Sequence, residues 1–188
     1  MRTYATHIII KTSLSLLSLS PVPAASAQVP VDDGAARPGE PPAVVSSPSR
    51  PVVAGSRAKI IRGKAYAPQA APLSVKKIIW AGNKIRNLPY SYGGGHGSFS
   101  ASGYDCSGSV SYALHGGGLL RSPLDSSGLA SWGRRGKGKW VTVHTNAGHA
   151  FLVVAGLRFD TSGARPNRWQ PNPRGWGSGY TLRHPLGL

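Results

Sequence analysis

The chain of 188 residues holds one cysteine, Cys106, and six histidines. A thiol attacks only as its thiolate, and to act as a nucleophile it needs an imidazole within hydrogen-bond reach. A lone cysteine forms no intramolecular disulfide, so Cys106 is either a small buried side chain or a reactive one. Its neighbours favour the second reading. The stretch Ser107 to Leu114 carries Val110, Ala113 and Leu114 at helical spacing and ends at Gly116-Gly-Gly118, which places Cys106 at a helix N-terminus. There the free N–H groups and the helix dipole favour an anion.

The base must come from elsewhere in the fold. His7 falls in a segment read below as an export signal, and His115 lies nine residues after Cys106 on the same helix, out of phase with it. His96 sits in a glycine loop that would hold a base loosely, while His144 and His184 flank strand ends as surface candidates. His149 opens the most apolar strand of the chain, directly after Asn146-Ala-Gly148, and is the best candidate base. From Leu73 onward the only carboxylates are Asp105, Asp125 and Asp160. Asp105 precedes the cysteine and suits a helix cap. Asp160 falls on the strand after that of His149 and suits an acceptor for its Nδ1–H, with Thr161 as the alternative orienting residue. No His-x-x-x-His, Cys-x-x-Cys or paired acidic cluster occurs, so no metal site and no cofactor is expected.

The elements that would position these groups follow from periodicity. Val75, Ile78, Ile79, Ala81, Gly82 and Ile85 form a helical stripe that Pro89 stops. A glycine-rich loop from Tyr90 to Gly103 leads to the cysteine helix. Strands are expected at residues 140–143, 149–155, 157–161 and 180–184, the middle pair joined by a tight turn at Ala155-Gly156. Residues 163–179 read as a long surface loop. Helices followed by antiparallel strands make an α+β fold.

Outside that domain, residues 1–27 carry an early basic residue, a short apolar run at residues 12–20 and a small-x-small site at Ala25-Ser26-Ala27. This reads as a secretion signal, too short for a transmembrane helix, with the mature protein in the wall or periplasm. Residues 28–72, with eight of the sixteen prolines, read as a disordered tether. Lys+Arg number 22 against Asp+Glu 6, giving a formal charge of +16. Such a charge suits an anionic partner. The cations are dispersed rather than clustered with aromatics on one element, which argues against nucleic acid. The domain is expected to be a monomer without a transmembrane segment.

Three segments resemble a known family, the NlpC/P60 cysteine peptidases of bacterial cell walls, compact relatives of papain. They are Pro89-Tyr-Ser-Tyr-Gly-Gly94, then Gly103-Tyr-Asp-Cys-Ser-Gly108 running into Val110 and Tyr112, then Gly148-His149-Ala150. The resemblance covers residues 73–188. It implies a nucleophile helix packed on an antiparallel sheet, and hydrolysis of amide bonds in the stem peptides of peptidoglycan. It further implies Cys106, His149 and Asp160 as catalytic residues, and Tyr92, Asp105 and Ser107 as oxyanion or substrate-binding positions. The family commonly has His, Asn or Gln where this chain has Asp160, and the loop from Tyr92 to Cys106 is longer than usual for it. An N-acetylmuramoyl-L-alanine amidase fits the same residues. So does a non-catalytic wall-binding module in which Trp132, Trp140, Trp169 and Trp176 supply affinity. Peptidoglycan and anionic wall polymers are the partners implied.

Overall fold

The computed structural model describes residues 50–163, 167–172 and 178–188, all within one compact unit, Ser46–Leu188. The signal segment and the tether as far as residue 49 lie outside the described residues. So does Trp176.

The ordered fold begins well before Leu73, which corrects the reading of residues 50–72 as disordered. β1 (Val52–Val53), β2 (Lys59–Ile61) and β3 (Lys64–Pro68) form a three-stranded sheet in the order β1-β3-β2. β2 and β3 are joined at Arg62-Gly63, where positive φ at both residues (47° and 71°) suits a two-residue hairpin. Composition hid these strands, because the side chains they bury are the small Ala65 and Ala67. Asn83 is one of the groups that dock them, beside Trp80 Nε1 on the Pro51 carbonyl and the Ala58 N–H on the Ala155 carbonyl. Asn83 accepts from the Ala65 N–H (2.9 Å) and donates to the Ala65 carbonyl (2.8 Å), so a buried amide completes the edge of β3.

α1 (Leu73–Ile85) presents the expected stripe, with Val75, Ile78 and Ile79 fully buried. Each such side chain contributes about 1.5–3 kcal/mol by leaving water. α2 (Cys106–Gly116) crosses it closely because Gly116 and Gly117 stand where a Cβ would meet Ala81 and Ile78. A short α3 (Ser126–Ser131) follows, capped by the Asp125 carboxylate on the Gly128 N–H at 2.7 Å. It buries only Leu129, which left it without a sequence signal.

The remaining strands are β4 (Arg134–Arg135), β5 (Val141–Thr145), β6 (Ala150–Val154), β7 (Leu157–Phe159), β8 (Trp169–Pro171) and β9 (Thr181–His184). They make one antiparallel sheet in the order β4-β9-β5-β6-β7-β8. The α+β expectation therefore holds, and the Ala155-Gly156 turn pairs Val154 with Leu157. The segment read as loop from residue 163 contains β8. Its Trp169 is buried against Phe159 at 4.6 Å and is thus core, not a binding surface. α2 packs on β6. That contact brings the start of the helix to the start of the strand.

Candidate active site

Cys106 is the first residue of α2. Its position is fixed from both sides of the helix start. The Asp105 side chain caps the helix through the Gly108 N–H (2.8 Å) and reaches back to the Gly93 N–H (3.1 Å). The Gly94 carbonyl accepts from the Asp105 N–H (3.2 Å) and lies so close to Gly108 that no Cβ fits there. The glycines of the loop thus serve close approach of backbone to backbone.

His149 is placed by the turn between β5 and β6. The Asn146 side-chain oxygen accepts from the N–H groups of Gly148 (3.0 Å) and His149 (2.9 Å), while the Asn146 N–H donates to the His149 carbonyl (2.9 Å). The imidazole lies near enough to the Cys106 thiol for each to shift the ionisation of the other, and the Ala150 N–H also favours the anion on the sulfur. The imidazole Nε2 lies 2.9 Å from Asp160 Oδ1. The orientation is the reverse of the expected one: Nε2 faces the carboxylate and leaves Nδ1 for the thiol.

Asp160, 2% exposed, is saturated with donors. Oδ1 also accepts from the Ser162 N–H (2.8 Å) and hydroxyl (2.9 Å). Oδ2 is held by the Arg158 guanidinium, with Nε at 2.6 Å and Nη2 closer still. Arg158 is itself buried, its guanidinium stacked 4.6 Å from the Phe151 ring.

The electrostatics follow from these contacts. Burial raises the Cys106 pKa, but the hydrogen bonds from His149 and Ala150 and the nearby imidazolium outweigh it, and the thiol lies below its ordinary value. The hydrogen bond to Asp160, then that to Cys106, push His149 up to about 9 against its burial. Burial likewise raises Asp160, and His149, the Ser162 N–H and Arg158 overcome it, so this carboxyl is held below the usual range. Both shifts favour the anion on Cys106 and the cation on His149 relative to the free side chains.

The other expected residues fall elsewhere. Tyr92 is 92% exposed, its ring in solvent, which removes the basis for placing it at an oxyanion. Tyr90, in the same motif, is 43% exposed and engaged with the fold. Asp105 and Ser107 are buried and held by His96, whose Nε2 lies 3.1 Å from Asp105 Oδ1 and 2.9 Å from Ser107 Oγ. Both therefore support the helix start rather than offer side chains to a substrate. His96 is correspondingly a fixed clamp, not a loosely held residue. His144 is buried rather than superficial, stacked 4.4 Å from Phe151, and burial with nearby Lys137 and Arg158 pulls its pKa to about 4. His115 is occupied by Phe99 and the Leu120 carbonyl. Thr161 is not the residue that meets His149; Asp160 is.

Three contributors carried no sequence signal that was read. Arg158 pins the carboxylate. Tyr180 stands edge-on to His149, its ring 6.4 Å away, and forms an aromatic wall with Phe151. Arg168, 3% exposed, donates to the carbonyls of Ile85, Leu88, Pro89 and Tyr104 and to Ser109 Oγ. It ties the end of α1, the root of the glycine loop and α2 into one body. Among the described residues no group of three or more His, Cys, Asp or Glu is placed to hold a metal ion, and no helix is long and apolar enough to cross a membrane.

No protein-family model matches this chain, and no curated protein matches it. Several solved structures are similar to it. The peptidoglycan hydrolase RipB from Mycobacterium tuberculosis is 23% identical over 58% of this chain and 64% of its own, with a TM-score of 0.46. A hypothetical invasion protein of Mycobacterium tuberculosis is 20% identical over 60% of this chain and 65% of its own, TM-score 0.44. RipD from Mycobacterium tuberculosis, a non-catalytic NlpC/p60 domain protein adapted to peptidoglycan binding, is 20% identical over 60% of this chain and 98% of its own, TM-score 0.41. These neighbours are NlpC/P60 domain proteins. The match spans just under two thirds of RipB and of the invasion protein.

Proposed function

We propose that this chain is an exported peptidoglycan hydrolase that cleaves amide bonds in stem peptides by acyl transfer through Cys106. One observation carries the reading: the only sulfur besides that of a single methionine lies at a helix N-terminus, beside an imidazole whose Nε2 is fixed on a buried carboxylate. A structural thiol has no need of that arrangement.

The Cys106 thiolate attacks the scissile carbonyl, and the oxyanion is stabilised by N–H groups at the α2 start, including that of Cys106. His149, protonated in the ground state, gives its Nδ1 proton to the leaving amine as the C–N bond breaks. Water then enters, gives a proton to the same nitrogen, and releases the acid with the thiolate restored. Asp160 keeps its negative charge throughout. It holds the ring in plane with the sulfur and stabilises the imidazolium. Arg158 and Ser162 fix the carboxylate, and Tyr180 limits water at the His149–Asp160 bond.

Digestion of purified peptidoglycan with mass spectrometry of the products tests the proposal. Peptide cross-links or stems should be cut by the parent chain and left whole by Cys106→Ala. Release of lactyl-terminated glycans free of peptide would assign the amidase bond instead, and binding without any cut in the parent chain would assign a wall-binding module.

A further inference from the structure

A second concavity lies on the far side of the two helices. Arg50, Lys64, Lys77, Lys84 and Arg86 surround a cavity of about 510 Å³ whose wall is Trp80. Lys77, Trp80 and Lys84 share one face of α1 at i, i+3 and i+7 spacing. Arg50 lies over the Trp80 ring at 4.8 Å, and Trp80 Nε1 donates to the Pro51 carbonyl at 3.2 Å, which fixes both walls. The cavity also touches Gly116, at the opposite end of α2 from Cys106. Gly116 is ten residues along α2 from Cys106, about 15 Å at 1.5 Å per residue.

No carboxylate lines this cavity, and the acids that the described residues contain are committed elsewhere. Asp105 holds His96 and the α2 cap, Asp125 caps α3, and Asp160 holds His149 and Arg158. Five cations around one concavity repel one another without a counter-charge, so the site is electrostatically incomplete. It adjoins, at Ala81, Lys84 and Gly116, a hollow of about 700 Å³ lined mainly by apolar and aromatic groups such as Leu88, Phe99 and Tyr112. Five cations spread around the first concavity suit several linked anionic groups better than a single ion.

We infer that this groove is an exosite for a linear polymer of phosphodiester-linked units. The Arg50 and Arg86 guanidinium groups, the latter with Nη1 on the Asn83 carbonyl, and three lysine point charges suit repeated phosphate oxygens. A nucleic acid is disfavoured because the one indole in the basic half is covered on one face by Arg50, leaving no platform for successive bases. A membrane surface is disfavoured because the charges line a concavity. That the polymer belongs to a cell wall rests on the proposed function; the binding itself does not.

The test is equilibrium binding of a fluorescent poly(glycerol phosphate) chain to the full-length Cys106→Ala protein over a salt series. Lys64→Gln/Lys77→Gln/Lys84→Gln should weaken binding about tenfold or more and flatten the salt dependence by about two units on logarithmic axes, as lost phosphate contacts demand. Arg134→Gln/Arg135→Gln/Lys137→Gln, with the same loss of charge on the β4 side of the sheet, should change it less than about twofold. The Lys→Arg triple variant should bind like the parent, which separates charge from fold. Equal effects of the two Gln triples would overturn the site in favour of dispersed charge. Tighter binding by duplex DNA, by polyglutamate or by phosphatidylglycerol vesicles would overturn the polymer class. Loss of hydrolysis in the parent chain leaves this readout untouched, so the two proposals fail separately.

Discussion

Asp160 is the residue on which the chemistry of His149 turns, because its hydrogen bond is the largest cause of a pKa near 9. Asp160→Asn keeps an acceptor but loses the charge. The alkaline limb of the kcat/KM profile, near pH 9 in the parent, should then move to lower pH, while the Cys106 limb moves up as the imidazolium weakens. Arg158→Met should act in a different way. It frees Oδ2 and leaves a buried carboxylate partly unpaired, so kcat should fall with KM little changed, and Arg158→Lys should recover part of the loss. Tyr92→Phe should leave turnover within about twofold, since a solvated phenol offers no preorganised donor. Stability follows the same groups. The raised pKa of His149 contributes stability that is complete below pH 6.5 and lost as pH rises through about 9, whereas the lowered pKa of Cys106 acts oppositely. Cys106→Ala removes that opposing slope and also lowers His149, so the thermal midpoint should fall more steeply just above pH 6.5 and level off before pH 9.

At the scale of elements, the site is a junction between the first turn of α2 and the first residue before β6, and the parts that hold it differ in how readily a sequence discloses them. The helix stripe of Ile78, Ile79 and Ile85 and the Val154–Leu157 turn were legible, because periodicity and turn chemistry are local signals. The tautomer of His149 was not, since it depends on which nitrogen the approach of β7 presents to Asp160. Arg168 was not either. In a segment rich in Pro, Gly and Arg it looks like a solvated cation, and only the folded chain shows it satisfying four carbonyls from three segments. Arg168→Ala should lower stability by about 3 kcal/mol or more in denaturant unfolding, because those carbonyls lose a charged donor in a buried place. Gly108→Ala should be as disruptive for a steric reason, its Cβ meeting the Gly94 carbonyl. In that variant the Cys106 environment should be lost along with the fold of the loop.

Across the whole molecule, a sheet of six antiparallel strands supports one reactive junction, and a second, smaller sheet closes α1 on the other side. A proline-rich text concealed the smaller sheet, whose contribution is two alanines and one amide pair rather than a hydrophobic run. Its removal should nevertheless matter. A chain beginning at Leu73 should melt well below one beginning at Ser46, since Asn83 would be left buried without Ala65. His149 is the charge that favours the anion on Cys106, and the single cysteine makes that anion directly observable. The rate of Cys106 alkylation by iodoacetamide as a function of pH is the most direct measurement of the central claim. The account predicts a half-point below the ordinary thiol value of 9.0 and a rise of that half-point in His149→Ala. A half-point at or above the ordinary value, indifferent to His149, would contradict it.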